Sequence, residues 1–555
     1  MTIANFTTNI WKRALLIGAF LCFGLALSLF DQALFLGLGV FLLLSGGTLF
    51  FLRNQAKGLK MLFICVLCIH LFAVLAIEYG QIYPFGGREG DQRAYHSAAT
   101  EISESFRAGN FSYNEIAEIL EENSMLHSYP VFIGALYALT IPHVLIGKML
   151  SLWFAAISAL LAYALVREMK GSHQWGLLVG ILVGLYPSYL YFSSLLIRES
   201  LVVSLALLVL LLMLRLFRSF SWGKFLVLYG IMGLLVHYRF YVGFIPIVVF
   251  LVGWLLFVHA MHWKKKVGYG LVCAILLGFL PILSGSGFGY YGTEAISGFL
   301  SVKSITGYRE TYLAPEPPAV AAIVPKPAAA PEPHAEPAPA KPSAEAAASL
   351  EPPAVAAIVP KPAAAPEPHA EPAPEKPSAE AAASLEPSPS DSIQEFFGLP
   401  QAPGTGVDFS IVVPTRTDNP VLFVLNNMKT FSYATLGPFP WQFKYDRHLP
   451  AFVETIPWSF LFIFVVVGIV RSWKRYRPAL LISLFALGVL GILSLFLSNF
   501  GIVLRIRASA IIVLLCFLPF AFKEEYPISL LRVWGLHIMK GIAGRAKALR
   551  KMAWG

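Results

Sequence analysis

Runs of about twenty apolar residues, separated by short polar stretches, recur through most of the chain, and that spacing predicts membrane-crossing α-helices. Segments long enough lie near 13–30, 33–52, 61–79, 144–166, 174–192, 200–217, 225–243, 244–260, 267–283, 456–470, 479–497 and 508–522, or about twelve crossings. The run from Val131 to Ile141 is too short to span and ends at Pro142, so it is expected at the interface or as a re-entrant piece. Residues 80–129 are polar with helical periodicity (Ile102 and Phe106; Ile116, Ile119 and Leu120), as in amphipathic helices lying on a membrane surface.

Basic residues set the direction. Lys12 and Arg13; Arg53, Lys57 and Lys60; Arg167 and Lys170; Arg215, Arg218 and Lys224; Lys264 to Lys266; and Arg471, Lys474, Arg475 and Arg477 fall on every second junction. Short cytoplasmic loops collect Lys and Arg, so both termini are expected in the cytoplasm, with residues 80–129 and 284–455 outside. Lys12 and Arg13 before an apolar run suit a signal peptide, but no small-residue cleavage site precedes the second run, and a retained first helix is expected.

Composition agrees. Of 555 residues, 57% are hydrophobic and 13% charged, against about 25% charged in soluble chains. Too few charges remain to cover a water-exposed surface. Soluble, collagen-like, disulfide-stapled and nucleic-acid-binding classes are thereby excluded, and the net charge of +10 is read as topology. All five cysteines lie in apolar runs; Cys65 and Cys68 have redox spacing but no His or carboxylate beside them, and packing is expected. The fold class expected is therefore an all-α polytopic membrane protein.

The segment Glu316 to Leu350 repeats as Glu351 to Leu385 with one difference, Ala340 against Glu375. Pro, Ala, Glu and Lys cannot bury a core, so a disordered, extended spacer is expected. The chain then divides into an N-terminal helical hairpin (1–60), a transmembrane core (61–283) containing the outer loop 80–129, an outer-face segment (284–313), the Pro/Ala/Glu-rich repeat (314–390), an interfacial segment (391–455), C-terminal transmembrane helices (456–522) and a basic tail (523–555). Residues Leu436 to Trp441, rich in Pro and aromatics, suit an interfacial anchor. The glycines at 285, 287 and 289 suit a flexible outer turn.

The candidate chemistry gathers on the outer side. Glu89, Asp91, Arg93, Tyr95 and His96 follow the third apolar run, Arg198 and Glu199 follow Tyr186-Pro187-Ser188, Arg239 lies within Tyr238-Arg239-Phe240-Tyr241, and Arg505 and Arg507 enter the last run. An ionised side chain at a helix centre costs about 2.5–3.5 kcal/mol on insertion scales, so charge near lipid has a partner or a function. Arginine's planar fork suits phosphate. Asp91, at the lipid–water boundary, is placed to accept a proton from an attacking hydroxyl, or to cap the helix that follows. A divalent cation held by Asp91 and His96 with His127 or Glu89 is a secondary expectation, without the tight ligand spacing that marks a metal site. The P-loop, dinucleotide, Gly-x-Ser-x-Gly and His-Glu-x-x-His patterns are absent.

Gly90-Asp91 with Tyr95-His96, then Ser128-Tyr129-Pro130-Val131, Leu185-Tyr186-Pro187 and Leu196-Ile197-Arg198-Glu199, in this order and spacing, resemble the superfamily C membrane glycosyltransferases. The similarity is to their bacterial branch, which includes aminoarabinose transferases and relatives of protein O-mannosyltransferases, and it spans roughly residues 60–220. It implies a sugar donor on a polyprenyl phosphate and a glycan, lipid or protein acceptor, in a bacterial inner membrane with a periplasmic active site. Asp91 would be the catalytic base; Glu89, Arg93, Tyr95, His96 and Glu199 would line the donor and acceptor pocket; Arg198, with Arg239, Arg505 and Arg507 added by topology, would hold the phosphate. The chain differs in its two extra leading helices, a single acid in place of Asp-Glu, and the Pro-rich insertion. A lipid-linked glycan polymerase fits the same arginines. A transporter fits less well, because the mid-helix positions are bland and no twofold repeat is found.

Overall fold

The computed structural model describes residues 31–81, 90–123, 128–258, 262–277, 420–439, 449–496 and 500–522. All regular structure among them is helical. In chain order the helices are α1 (Gln32–Phe51), α2 (Lys57–Gly80), α3 (Gly90–Arg107), α4 (Tyr113–Glu122), α5 (Tyr129–Leu139), α6 (Val144–Glu168), α7 (His173–Leu185), α8 (Pro187–Ser193), α9 (Glu199–Arg218), α10 (Trp222–Tyr238), α11 (Phe240–Phe257), α12 (Trp263–Leu276), α13 (Pro420–Leu436), α14 (Leu449–Arg475), α15 (Ala479–Phe496), α16 (Phe500–Leu515) and α17 (Leu518–Ala521).

Among the described residues, six helices are long and apolar enough to cross a membrane: α1, α2, α6, α9, α11 and most of α14. The bent pair α7 and α8 makes a seventh when counted as one span. The architecture is that of a multi-pass membrane protein. The expected count of about twelve crossings goes beyond these spans: α10 and α15 are apolar but shorter, and the segment 13–30 and the end of 267–283 lie outside the described residues.

Boundaries differ where hydropathy is blind. The run read as 225–260 turns at Arg239, four residues before the expected break, because Tyr238, Phe240 and Tyr241 keep the pattern apolar across the turn. The turn is tight: a Cβ on Gly243 would lie 2.4 Å from the Val236 N and Cα atoms, so α10 and α11 touch backbone to backbone there. The last run starts at Phe500 rather than 508, which places Arg505 and Arg507 inside α16. The short run near 131–141 forms α5, whose carbonyl end is capped by Arg107 of α3, donating to Tyr137 O at 2.7 Å and Thr140 O at 2.8 Å. Where no water can reach, such orphan carbonyls need an internal donor.

The buried core runs continuously from α6 and α9 through α10 and α11 to α15 and α16. A second cluster joins α1, α2 and α6. Contacts between helix ends sort the charges. At one end Tyr79 donates to Asp31 at 2.5 Å, and Lys148 pairs with Glu78 at 2.6 Å, which brings together the starts of α1 and α6 and the end of α2. At the other end Glu168 of α6 pairs with Arg215 (3.4 Å) and with Arg218 of α9, and Arg471 of α14 donates to Ala521 O.

Candidate functional site

The site is built around a break in a helix. Pro187 has no N–H and cannot continue α7, and the chain bends by 62° into α8. In an unbroken helix the Ser188 N–H would bond Gly184 O; the bend separates them, and each finds a side chain instead. Ser188 N donates to Glu454 Oε2 at 2.8 Å, and His70 Nε2 meets Gly184 O at 3.0 Å. A carbonyl can only accept, so His70 carries its proton on Nε2 and its Nδ1 accepts from Ser193 Oγ at 2.8 Å. His70 therefore ties the last turn of α7 to the end of α8 from the middle of α2. Among mid-helix residues taken as bland in the sequence, this one is not.

Beyond α8 the chain passes Leu196, whose N–H donates to Gln92 Oε1 of α3 at 3.1 Å, and reaches Arg198 and Glu199 at the start of α9. Glu199 is buried, and its Oε1 accepts both from Arg239 Nη2, at the α10–α11 turn, and from Arg505 Nε of α16. Arg239 also donates to the Tyr241 hydroxyl. Three stretches of chain far apart in sequence thus meet on one carboxylate oxygen.

Arg198 differs from the other two in forming no ion pair among the described residues. It is 7% exposed, and its Nε, like that of Arg239, has no hydrogen-bond partner among the described residues. Tyr95, Tyr241, Arg239 and Arg505 lie within electrostatic reach of it. Tyr95 is buried and packs edge-on against Tyr129, with ring centroids 5.5 Å apart, and Tyr129 against Tyr238. An aromatic wall and a buried guanidinium without an anion among the described residues form a place where a ligand anion would be held by charge-assisted hydrogen bonds.

The residues expected in the pocket divide. Tyr95 faces this cluster, and Arg93 is exposed. His96 turns instead toward α5, its Nδ1 3.1 Å from the Tyr137 hydroxyl; burial and nearby His143 hold its pKa below the usual imidazole value, so it sits neutral in a packing contact. Asp91 is the second residue of α3, directly before the Gln92 that bonds the Arg198 segment. Its side chain, Glu89 and His127 lie outside the described residues. Among the described residues no group of three His, Cys, Asp or Glu side chains is gathered to hold a metal ion.

Arg507, expected with the other arginines, is elsewhere. It is fully buried against Glu454 at 2.6 Å and donates to Gly437 O, while the Tyr186 hydroxyl donates to the same Glu454 oxygen at 2.5 Å. The reason is helical geometry: residues two apart on α16 point about 200° apart, so Arg505 and Arg507 leave opposite faces. Glu454, Glu78 and Lys148 were absent from the sequence expectation. The cost argument applied to the arginines finds them too, since a carboxylate at the start of a spanning run needs a partner just as a guanidinium does. Comparison of the chain with protein-family models and with curated proteins gives no match.

Proposed function

We propose that the chain is a bacterial inner-membrane glycosyltransferase that moves a sugar from a polyprenyl-phosphate donor to an acceptor hydroxyl on the periplasmic face. The observation that carries this reading is Arg198: a buried guanidinium without an anionic partner among the described residues, beside two arginines held by Glu199. The exposed Arg215 and Arg218 belong to the opposite end of α9, and the positive-inside rule reads that end as cytoplasmic, which supports a periplasmic position for the cluster.

In the reaction the acceptor oxygen forms a bond to the anomeric carbon while the bond from that carbon to the phosphate oxygen breaks. The acceptor proton passes to Asp91, and the bonding pair leaves with the phosphate. Negative charge therefore grows on the phosphate in the transition state. A preset arginine in a partly dry site stabilises that charge by several kcal/mol. The lipid carries the activated sugar across the membrane, so no soluble nucleotide sugar is required outside. Polymerisation of lipid-linked repeat units would use the same anion site and differ in its product.

The test is native mass spectrometry of the full-length protein extracted from its own membranes. A polyprenyl-phosphate-containing lipid is expected on the wild type and lost from Arg198→Gln at equal recovery. A charge-assisted bond is worth about 1.5–3 kcal/mol, or roughly 10- to 100-fold in affinity. A wild type that carries no phospho-lipid of this class, or a variant that retains it fully, contradicts the assignment.

A further inference from the structure

Glu454 and Arg507 form an ion pair in which both side chains are 0% exposed, and it lies outside the cluster around Glu199. Removing two charges from water costs several kcal/mol per ion, and close pairing offsets this only when the remaining lone pairs and protons are also bonded. Here Arg507 Nε is left without a partner among the described residues, and three other bonds go to backbone or side-chain groups at the helix breaks. Glu454 accepts from Ser188 N and from the Tyr186 hydroxyl at the α7–α8 bend, and Arg507 donates to Gly437 O just after α13. Thr455 donates to that same Gly437 O at 3.2 Å, and Trp458 Nε1 to Thr435 O at 2.7 Å, fixing the start of α14 against the end of α13.

We infer that Glu454 and Arg507 are positioning residues for the anion site: their pair sets the place of Arg198 and of Arg505 without touching the ligand. Two mechanical links support this. First, the segment 186–198 is tied at its start by Glu454, at Ser193 by His70, which also holds Gly184 O just before the bend, and at Leu196 by Gln92, and it delivers Arg198. Freeing the first tie leaves the Ser188 N–H unbonded in a dry interior, and the bend must relax to satisfy it. Second, Arg505 and Arg507 share α16, so the rotation that seats Arg507 on Glu454 is the rotation that aims Arg505 at Glu199. The pair therefore connects the C-terminal helices, which follow the Pro-rich repeat, to the bend that precedes Arg198. Arg507 leaves the set of phosphate ligands and joins the frame behind them.

The ligand side of this inference rests on the proposed function; the mechanical side does not, and the experiment reads them separately. Hydrogen exchange is followed by mass spectrometry on the full-length protein in lipid nanodiscs, alongside binding of undecaprenyl phosphate to the same particles. Glu454→Gln is expected to raise exchange in 186–198 by about tenfold or more while α1 and α2 keep wild-type protection, and to weaken undecaprenyl phosphate by a similar factor. Tyr186→Phe removes one hydrogen bond and no charge; it keeps the fold and is expected to shift both readouts in the same direction by a smaller factor. Arg507→Met is expected to lose affinity and Arg507→Lys, which keeps the charge, to recover part of it. Unchanged exchange in 186–198 in Glu454→Gln and Tyr186→Phe, or a rise spread evenly over all helices, overturns the positioning role. Local loosening with unchanged affinity in these variants also overturns it. A wild type that does not bind undecaprenyl phosphate sinks the proposed function, while the exchange data still decide whether the pair holds the segment.

Discussion

Glu199→Ala is expected to remove about 3–5 kcal/mol of stability, the range for breaking a buried ion pair by deleting one partner. The effect is large because one carboxylate oxygen serves both Arg239 and Arg505, and Arg198 adds a third guanidinium nearby. Deleting Glu199 leaves those charges facing one another in a region from which water is excluded. Glu199→Gln keeps an acceptor oxygen and should cost less. Adding Arg239→Met to Glu199→Ala should recover part of the loss, because it removes one of the stranded charges. Equilibrium denaturation in mild detergent measures all of these, and a Glu199→Ala loss below about 1 kcal/mol would show that the cluster is solvated rather than dry.

The second large effect is an asymmetry between two partners of one salt bridge. Lys148 is fully buried, whereas the Glu78 side chain is 23% exposed, and they meet at 2.6 Å. Lys148→Met replaces a buried ammonium by an apolar chain of similar length and leaves Glu78 able to reach water. That is expected to be nearly neutral, within about 1 kcal/mol. Glu78→Ala strands the ammonium in the interior and is expected to cost about 3–5 kcal/mol. Reversal of that order, read as Tm or denaturation midpoint in the same detergent, would mean that Lys148 reaches solvent.

The apolar runs of α2, α6 and α9 were legible because their hydrophobicity is local and continuous. The turn at Arg239 was not, because aromatic neighbours mask it, and only the close approach of Gly243 to Val236 shows why the chain reverses there. Pro187 lies inside the run read as one crossing, 174–192, and what satisfies the break there, Glu454 from one side and His70 from the other, depends on pairings 266 and 114 residues apart that no local pattern encodes. The same holds for Glu199 with Arg505, 306 residues away. The cost of charge near lipid singled out four arginines; three of them lie together and Arg507 sits apart on Glu454, because that cost says that a charge needs a partner but not which one. Residues 314–390, with the tandem repeat, lie outside the described residues, so the expectation for them rests on composition alone.

Glycosyl transfer is proposed at the end of the bundle where α3 meets the Arg198 segment, with Asp91 as base. The most direct measurement is mass spectrometry of surface and lipid-linked glycans from the native host carrying Asp91→Asn, with the protein's membrane abundance checked. Loss of one sugar substituent and accumulation of its lipid-linked donor are expected. Collapse of long chains to single repeat units would move the assignment to polymerisation at the same site. Unchanged glycans at normal abundance would contradict the role of Asp91 and the transferase reading built on it.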